Sequence, residues 1–412
     1  MSASSDAAAM PSANPDVRPV LSSATLLLFA MAGGLAVANV YFAHPLLDVM
    51  ADDLGLSRAT AGLIVAASQV GYALGLVFLV PLGDLFDRRK LIVGHFLLSA
   101  IALLSIGFAA NSALLLVSMG VMGLLAVVTQ ALVAYAASLA EPARRGHVVG
   151  IVTSGIVLGI LLARAVAGAL TDVSGWRSVY LSSAVLTLLI GLALWRSLPR
   201  QTRQPAGLSY PALILSLATL FGEEPVLRIR AIIAMLIFAN ITTLLAPLVM
   251  PLSAPPFELS HAQIGLFGLA GAAGALAASR AGGIADRGYA QHMTGIALLM
   301  MLLAWGPIAL LGTSLWWLIA GVLVIDFGLQ AVHVTNQAMI YRVRPEAQNR
   351  LTAAYMVFYS IGSAGGSAVS TWVYAHAGWN GVCLLGAGIS LFTLGFWAAT
   401  LRTTPQAATR AL

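Results

Sequence analysis

The 412-residue chain is 59% hydrophobic and only 9% charged, against about a quarter charged in an average soluble protein, so a soluble surface cannot be built from it. Its apolar residues run in long uninterrupted stretches, which excludes a transmembrane barrel with its short alternating strands of about ten residues. One cysteine, Cys383, excludes an intramolecular disulfide and a four-cysteine metal site, and the net charge of +6 is explained by position along the chain rather than by a nucleic-acid partner.

In chain order, residues 1–19 are rich in Ala and Ser, contain Pro11 and Pro15, and lack the basic start and short apolar core of a cleaved signal, so they read as a disordered cytoplasmic tail. Crossing a hydrocarbon core of about 30 Å takes about 20 apolar residues in a helix. Twelve stretches qualify, near 21–45, 58–82, 91–110, 112–139, 147–170, 178–195, 230–252, 261–282, 291–312, 314–340, 351–375 and 380–401. The expected fold is all-α, a membrane protein of 12 transmembrane helices. Its organisation is an N-terminal six-helix bundle over 20–195, a central cytoplasmic loop over 196–229, a C-terminal six-helix bundle over 230–401 and a cytoplasmic tail over 402–412.

Placing the N-terminus in the cytoplasm puts 18 of the 21 basic residues in inside segments, including Arg88, Arg89, Lys90, Arg144, Arg145, five arginines from Arg196 to Arg230, Arg342, Arg344 and Arg350. Only Arg58 and Arg177 fall outside, and Arg164 lies within a span. The excess of basic residues on one side predicts that both termini are cytoplasmic.

The two sixes also resemble each other. Ala38-Asn39 before Pro45 matches Ala239-Asn240 before Pro247, and Leu56-Ser57-Arg58-Ala59 matches Leu259-Ser260-His261-Ala262. Gly175-Trp176 matches Gly378-Trp379, and Gly83-Asp84-Leu85-Phe86-Asp87-Arg88 matches Gly282-Gly283-Ile284-Ala285-Asp286-Arg287. Four matches in one order at nearly one offset indicate two parallel repeats, an organisation that places a site between them near the midplane.

The stretch Gly83-Asp84-Leu85-Phe86-Asp87-Arg88-Arg89-Lys90, between the second and third spans, resembles the signature loop of the major facilitator superfamily, and the whole chain is similar to bacterial 12-span antiporter-type efflux permeases of that family. The loop is about two residues shorter than the usual pattern, span four has no arginine before Gln130, and span five has Ile160 where drug-antiporter relatives show proline. The resemblance implies a gating role for Gly83, Asp87, Arg88 and Arg89, and for Asp286 and Arg287 in the second copy. Asp87 is positioned to meet the N-terminal end of span eleven near Arg350, as a latch made in one conformation and lost in the other.

Ionisable residues inside a membrane are functional candidates by default. Asp326 lies near the middle of span ten and Arg164 in the outer third of span five. Asp326, Gln330, His333 and Gln337 are spaced four, three and four, so they share one helix face, which faces a cavity or polar partners rather than lipid. Asn39, His44, Gln69, Gln130 and Asn240 are the other strong polar residues within spans, and Tyr72, Tyr135, Tyr355, Tyr359 and Phe238 are aromatic candidates for a cavity wall. Trp176 and Trp379 read as interface anchors, the glycines of spans five, eight and eleven as close-packing positions, and 209–222 as a helix on the inner surface.

These features predict a secondary active transporter of the cell inner membrane that moves a small organic solute by alternating access, with proton-coupled efflux as the first reading. Asp326 is the expected proton-exchanging carboxylate, since burial favours the neutral acid and a nearby guanidinium the anion, with His333 next. The alternatives are uptake or facilitated diffusion of a small organic anion held by Arg164, a membrane sensor, or a membrane enzyme. No metal-ligand spacing, phosphate loop or catalytic constellation stands out, so no cofactor, no metal, no enzyme activity and no nucleic-acid partner are expected. The expected partners are the solute, protons and the bilayer, and the expected state is a monomer.

Overall fold

The computed structural model describes residues 22–141, 144–199, 209–270, 289–344 and 347–403, without the side chains of Asp84, Arg145, Ala270 and Asn349. Among the described residues it is helical throughout, with no strand. The helices are α1 (Ser23–Tyr41), α2 (Leu47–Asp53), α3 (Leu63–Phe78), α4 (Arg88–Gly107), α5 (Ser112–Leu125), α6 (Val128–Leu139), α7 (Arg145–Ser174), α8 (Trp176–Ser197), α9 (Tyr210–Glu223), α10 (Pro225–Leu245), α11 (Val249–Ser253), α12 (His261–Leu266), α13 (Ala290–Ala309), α14 (Leu315–Tyr341) and α15 (Gln348–Thr400). Nine described helical segments are long and apolar enough to cross a membrane.

Local chemistry sets the ends of these helices. Ser22, Asp87 and Asn111 each accept a backbone N–H of the first turn of the helix that follows, at 3.1, 3.1 and 2.8 Å, and Ser260 with Gln263 forms a reciprocal capping box on α12. Gly175, with φ of 78°, breaks the chain between α7 and α8, and Gly378, with φ of 62°, breaks α15 internally. An L side chain rarely adopts this backbone, so the two glycines place two sharp reversals.

The repeat seen in sequence is present in the backbone. The described residues with positive φ are Gly55, Gly175, Glu258 and Gly378. They form two pairs, 55 with 258 and 175 with 378, each separated by 203 positions by subtraction. Glu258 shows that the geometry is kept where the glycine is not.

Two packing contacts recur across the repeat: α1 on α7 recurs as α10 on α15, and α4 on α5 as α13 on α14, while α3 packs on α5 and α4 on α8. Small residues allow the close approaches. A Cβ on Gly34 would meet Gly155, one on Gly159 would meet Gly34, and one on Gly362 or Gly366 would meet the α10 backbone at Met235 or Ala239. The two sets of helices meet through α3 against α15 and α7 against α12.

The connection between the two sets of six differs from the expectation. α10 begins at Pro225, five residues before the predicted span, because proline at a first helical position is pre-organised for the helix. The predicted connection over 196–229 holds the end of α8, all of α9, close to the helix expected over 209–222, and the start of α10. The apolar face of α9, through Leu213, Leu217 and Leu220, is buried within the protein, and Phe221 stacks on Phe358 with ring centroids 4.7 Å apart. Arg344 ties the junction of α9 and α10 to the end of α14 by pairing with Glu224 at 2.6 Å and Glu223 at 2.9 Å. The predicted tail over 1–19 and the second signature copy, Gly282 to Arg287 with Asp286, lie outside the described residues, as does most of the tail after residue 401.

Candidate functional site

At the centre of the molecule an aromatic layer joins the two sets of helices. The Tyr41 and Tyr359 hydroxyls lie 3.2 Å apart, linking α1 to α15. Tyr359 also stands edge-on to Tyr72 and to Phe238, and Phe238 is edge-on to His333 at 5.3 Å. The Arg164 guanidinium sits over the Tyr41 ring at 5.6 Å, within range of a cation–π contact, and its Nε is buried with no hydrogen-bond partner among the described residues. Gly265 and Gly268 make room for it. A Cβ on Gly268 would touch the Arg164 side chain, and one on Gly265 the Arg164 carbonyl.

Asp326 stands eleven residues after the first residue of α14, or about 16 Å along a helix rising 1.5 Å per residue. It is 8% exposed, and no described residue hydrogen-bonds its carboxylate or comes within ion-pair distance of it. Arg164 acts on it through space without touching it. Gln69 is buried with an unpartnered Oε1, and the Gln130 amide reaches across the molecule to Met356 Sδ at 3.5 Å.

On one face of the layer the helices separate. A cavity of about 500 Å³ opens between them, lined by Leu76, Gly83, Arg88 and Gln130 on one side and by Tyr341, Gln348, Thr352 and Met356 on the other. The signature loop forms part of its rim. Arg88 donates to the carbonyls of Gly83 and Ala134, each at 3.4 Å, and Arg89 donates to the Trp195 carbonyl. Asp87 caps α4 through the Lys90 N–H at 3.1 Å. In this conformation the expected bond from Asp87 to the start of α15 is replaced by a cap on its own helix, because the cavity lies between them.

On the opposite face the helices close into a seam. Ser367 Oγ donates to the Gly62 carbonyl at 3.0 Å and the Gly62 N–H donates to Thr371 Oγ1 at 3.2 Å. Beside them Asp172, at the end of α7, accepts the backbone N–H of His261 at 3.1 Å and of Ala262 at 2.8 Å. The His261 ring is held between two carboxylates, with Nδ1 3.2 Å from Asp172 and Nε2 3.2 Å from Asp48. Asp48 and Asp172 were not legible as site residues, since each reads alone as a helix-end acid.

The predicted site residues divide accordingly. Asp326, Arg164, His333, Gln69, Tyr72 and Tyr355 converge on or beside the central layer, with Tyr41 added by the structure, and Gln130 lines the cavity. Asn39 and Asn240 are elsewhere. Asn39 accepts from Ser183 at 2.6 Å, and Asn240 donates to the Gly386 carbonyl at 2.7 Å and to Ser390 at 2.8 Å while accepting from Trp305. Both serve as interhelical glue inside their own bundle, at equivalent places in the repeat, since each amide bonds to a helix of its own bundle, Asn240 through both its nitrogen and its oxygen and Asn39 through its oxygen. Gln330 and Gln337 are half-buried on α14 without side-chain hydrogen bonds among the described residues. The side chains on that stretch that do bond are His333 and Asn336. Tyr135 packs on Phe29 and donates to the Pro199 carbonyl, away from the cavity. Trp176 is 5% exposed and bonded to Asp53 at 3.0 Å, so it is a packed residue rather than an exposed anchor. Arg230, counted among loop charges in the sequence, is fully buried on α10.

Long apolar helices around a polar, aromatic centre, with a cavity on one face and a sealed seam on the other, define a multi-pass membrane transporter. The family model of the Major Facilitator Superfamily matches residues 26–304 and 249–411, and the chain belongs to that superfamily. It is 50% identical to the uncharacterized transporter YgaY of Escherichia coli O157:H7, over 92% of this chain and 95% of that protein. A Streptomyces coelicolor protein named as a probable transporter is 31% identical, with coverage of 92% and 87%. Among solved structures, a bacterial homologue of the human lysosomal transporter Spinster has the same fold, with a TM-score of 0.76, 15% identity, and coverage of 92% of this chain and 96% of that one. The protein is a multi-pass protein of the inner membrane, and the homology points to transport rather than catalysis.

Proposed function

We propose that the protein is a twelve-span, proton-coupled secondary transporter that exports a small organic solute by alternating access, with both termini cytoplasmic. The twelve spans follow from the nine apolar segments, the shorter α3, the division of α15 at Gly378 and the predicted span beginning at His261. In this reading the cavity beside the signature loop opens to the cytoplasm and the His261 seam closes the outer side. Asp87 would engage the start of α15 only when the cavity closes.

The observation that carries the proton-coupled reading is Asp326, a carboxylate in the middle of a membrane helix with no bonded partner among the described residues and a guanidinium nearby. A permanently paired acid would be structural, whereas one left without a partner is free to exchange a proton as its surroundings change. Two Helicobacter pylori relatives named as probable sugar efflux transporters, at 21% and 22% identity, favour export and a hydroxyl-rich solute. The test is solute movement in membrane vesicles with a pH gradient imposed in either direction. Asp326→Asn should abolish the response to the gradient in a protein that still folds, and unchanged gradient-driven transport would overturn the assignment.

A second reading rests on Arg164, whose unpartnered Nε beside Tyr41 could hold an anionic solute. The same vesicles distinguish it, since movement of an anion independent of the gradient supports facilitated diffusion.

A further inference from the structure

Arg230 has a side chain with no surface exposure, its Nε and Nη2 have no hydrogen-bond partner, and no carboxylate pairs with it among the described residues. Its remaining nitrogen, Nη1, donates to Thr294 Oγ1 and to Asn336 Oδ1, each at 3.2 Å. From Asn336 the hydrogen bonds continue to Tyr355, 3.4 Å away, and from Tyr355 to His333 Nδ1 at 2.9 Å. A chain of four side chains thus runs from a buried cation to the imidazole beside Phe238.

Such a chain has a direction. A guanidinium has donors only, so the Asn336 atom that meets it is the oxygen. The Arg230 carbonyl, an acceptor only, lies 3.4 Å from the other end of the same amide and fixes it as the nitrogen. The amide therefore donates to the Tyr355 oxygen. A phenol has one proton, and among the described residues the acceptor within its reach is His333 Nδ1, so with the amide N–H received at the oxygen that proton is directed at His333. Nδ1 then accepts, and the single proton of the neutral ring resides on Nε2. Nε2 makes no hydrogen bond to a described residue, and His333 is only partly buried.

We propose that Arg230 is a positioning residue that fixes, through Asn336 and Tyr355, the proton of His333 on Nε2, so that the ring offers an N–H donor to an oxygen acceptor of the solute. The role of the solute rests on the reading of the central layer as the transport site, but the placement of the proton does not. The solute class that fits is one with a carbonyl, hydroxyl or carboxylate oxygen.

The test is nitrogen NMR of the full-length protein in nanodiscs without solute, with nitrogen-15 histidine and the His333 signals identified by their loss in His333→Gln. The wild type should show an unprotonated Nδ1 and a protonated Nε2. Asn336→Asp is the decisive variant. Aspartate can pair with Arg230, yet it can only accept from Tyr355. The phenol proton would turn toward the carboxylate, Tyr355 would accept from His333, and the proton would move to Nδ1. Arg230→Lys retains an obligate donor and should keep the wild-type pattern. A wild type protonated on Nδ1, or an Asn336→Asp spectrum identical to wild type, would overturn the proposal. If Asn336→Asp does not fold, Tyr355→Phe serves in its place. With no hydroxyl proton directed at Nδ1, the ring should show a mixture of both tautomers, and a single wild-type tautomer would overturn the proposal.

Discussion

Asp172→Asn tests whether the seam around His261 holds the outer side closed. Asp172 accepts two backbone N–H groups at the start of α12 and faces the His261 ring, so one carboxylate from α7 gathers three donors of the other helix set. A hydrogen bond to a charged group contributes about 1.5–3 kcal/mol. The side chain is 27% exposed, so the low end applies. An asparagine oxygen keeps part of these contacts but loses the charge, and its NH2 group faces donors. A net loss of about 2 kcal/mol is expected, and that shifts the balance between closed and open seams by about 30-fold.

The assay is pulsed electron spin resonance between spin labels at Ser57→Cys and Glu258→Cys, both exposed, in a Cys383→Ser background in nanodiscs. Asp172→Asn should add a longer-distance population that the parent lacks. Protonation gives a second handle. The imidazolium can donate to Asp48 and Asp172 at once, whereas the neutral ring can donate to only one. The contribution of the ring is therefore full in acid and falls as pH rises through the histidine range, around 6.5 for a free imidazole. His261→Ala should remove this pH dependence. Identical distance distributions in the parent and Asp172→Asn, at both pH 5 and pH 8, would refute the idea that this cluster closes the seam.

Two more outcomes follow from packing. Asn240→Leu should lower the melting temperature in detergent, since the Gly386 carbonyl, Ser390 and Trp305 all lose a partner at about 1–3 kcal/mol for each buried group left unsatisfied. Solute KM should stay unchanged, and a changed KM with normal stability would put Asn240 back in the cavity. Gly155→Val should destabilise the α1 and α7 contact by at least about 1–3 kcal/mol, because a Cβ there meets the Ala30 backbone, which cannot rotate away. An unaltered melting curve would contradict that close contact.

The overall plan was legible because hydrophobicity, basic loops and repeated turns are local signals. The 203-residue offset read from Gly175-Trp176 and Gly378-Trp379 is the spacing of the paired positive-φ residues. The candidate site was legible in part. Asp326 and Arg164 stood out as charges in apolar spans, and both adjoin the central layer. Asn39 and Asn240 carried the same signal, but an amide in a span can serve a bundle as well as a cavity, and only its partners decide. Those partners, Ser183 and Ser390, lie 144 and 150 residues away.

The misses share a physical cause. Arg230 follows Arg228 after a charged connection, so positional reading assigned both to the loop. Pro225 starts the helix early and carries Arg230 inside, where it is fully buried. Asn336, adjacent to Gln337, falls off the four-three-four stripe of Asp326, Gln330, His333 and Gln337, so helical spacing does not single it out. Helical spacing identifies residues on a shared face but not the donors and acceptors within reach of it. A buried guanidinium without a carboxylate restricts every polar group near it, since only acceptors can face it. Arg230 thereby orients Asn336, and Asn336 orients Tyr355. The chemistry His333 presents is set by a residue on another helix, 103 positions away by subtraction.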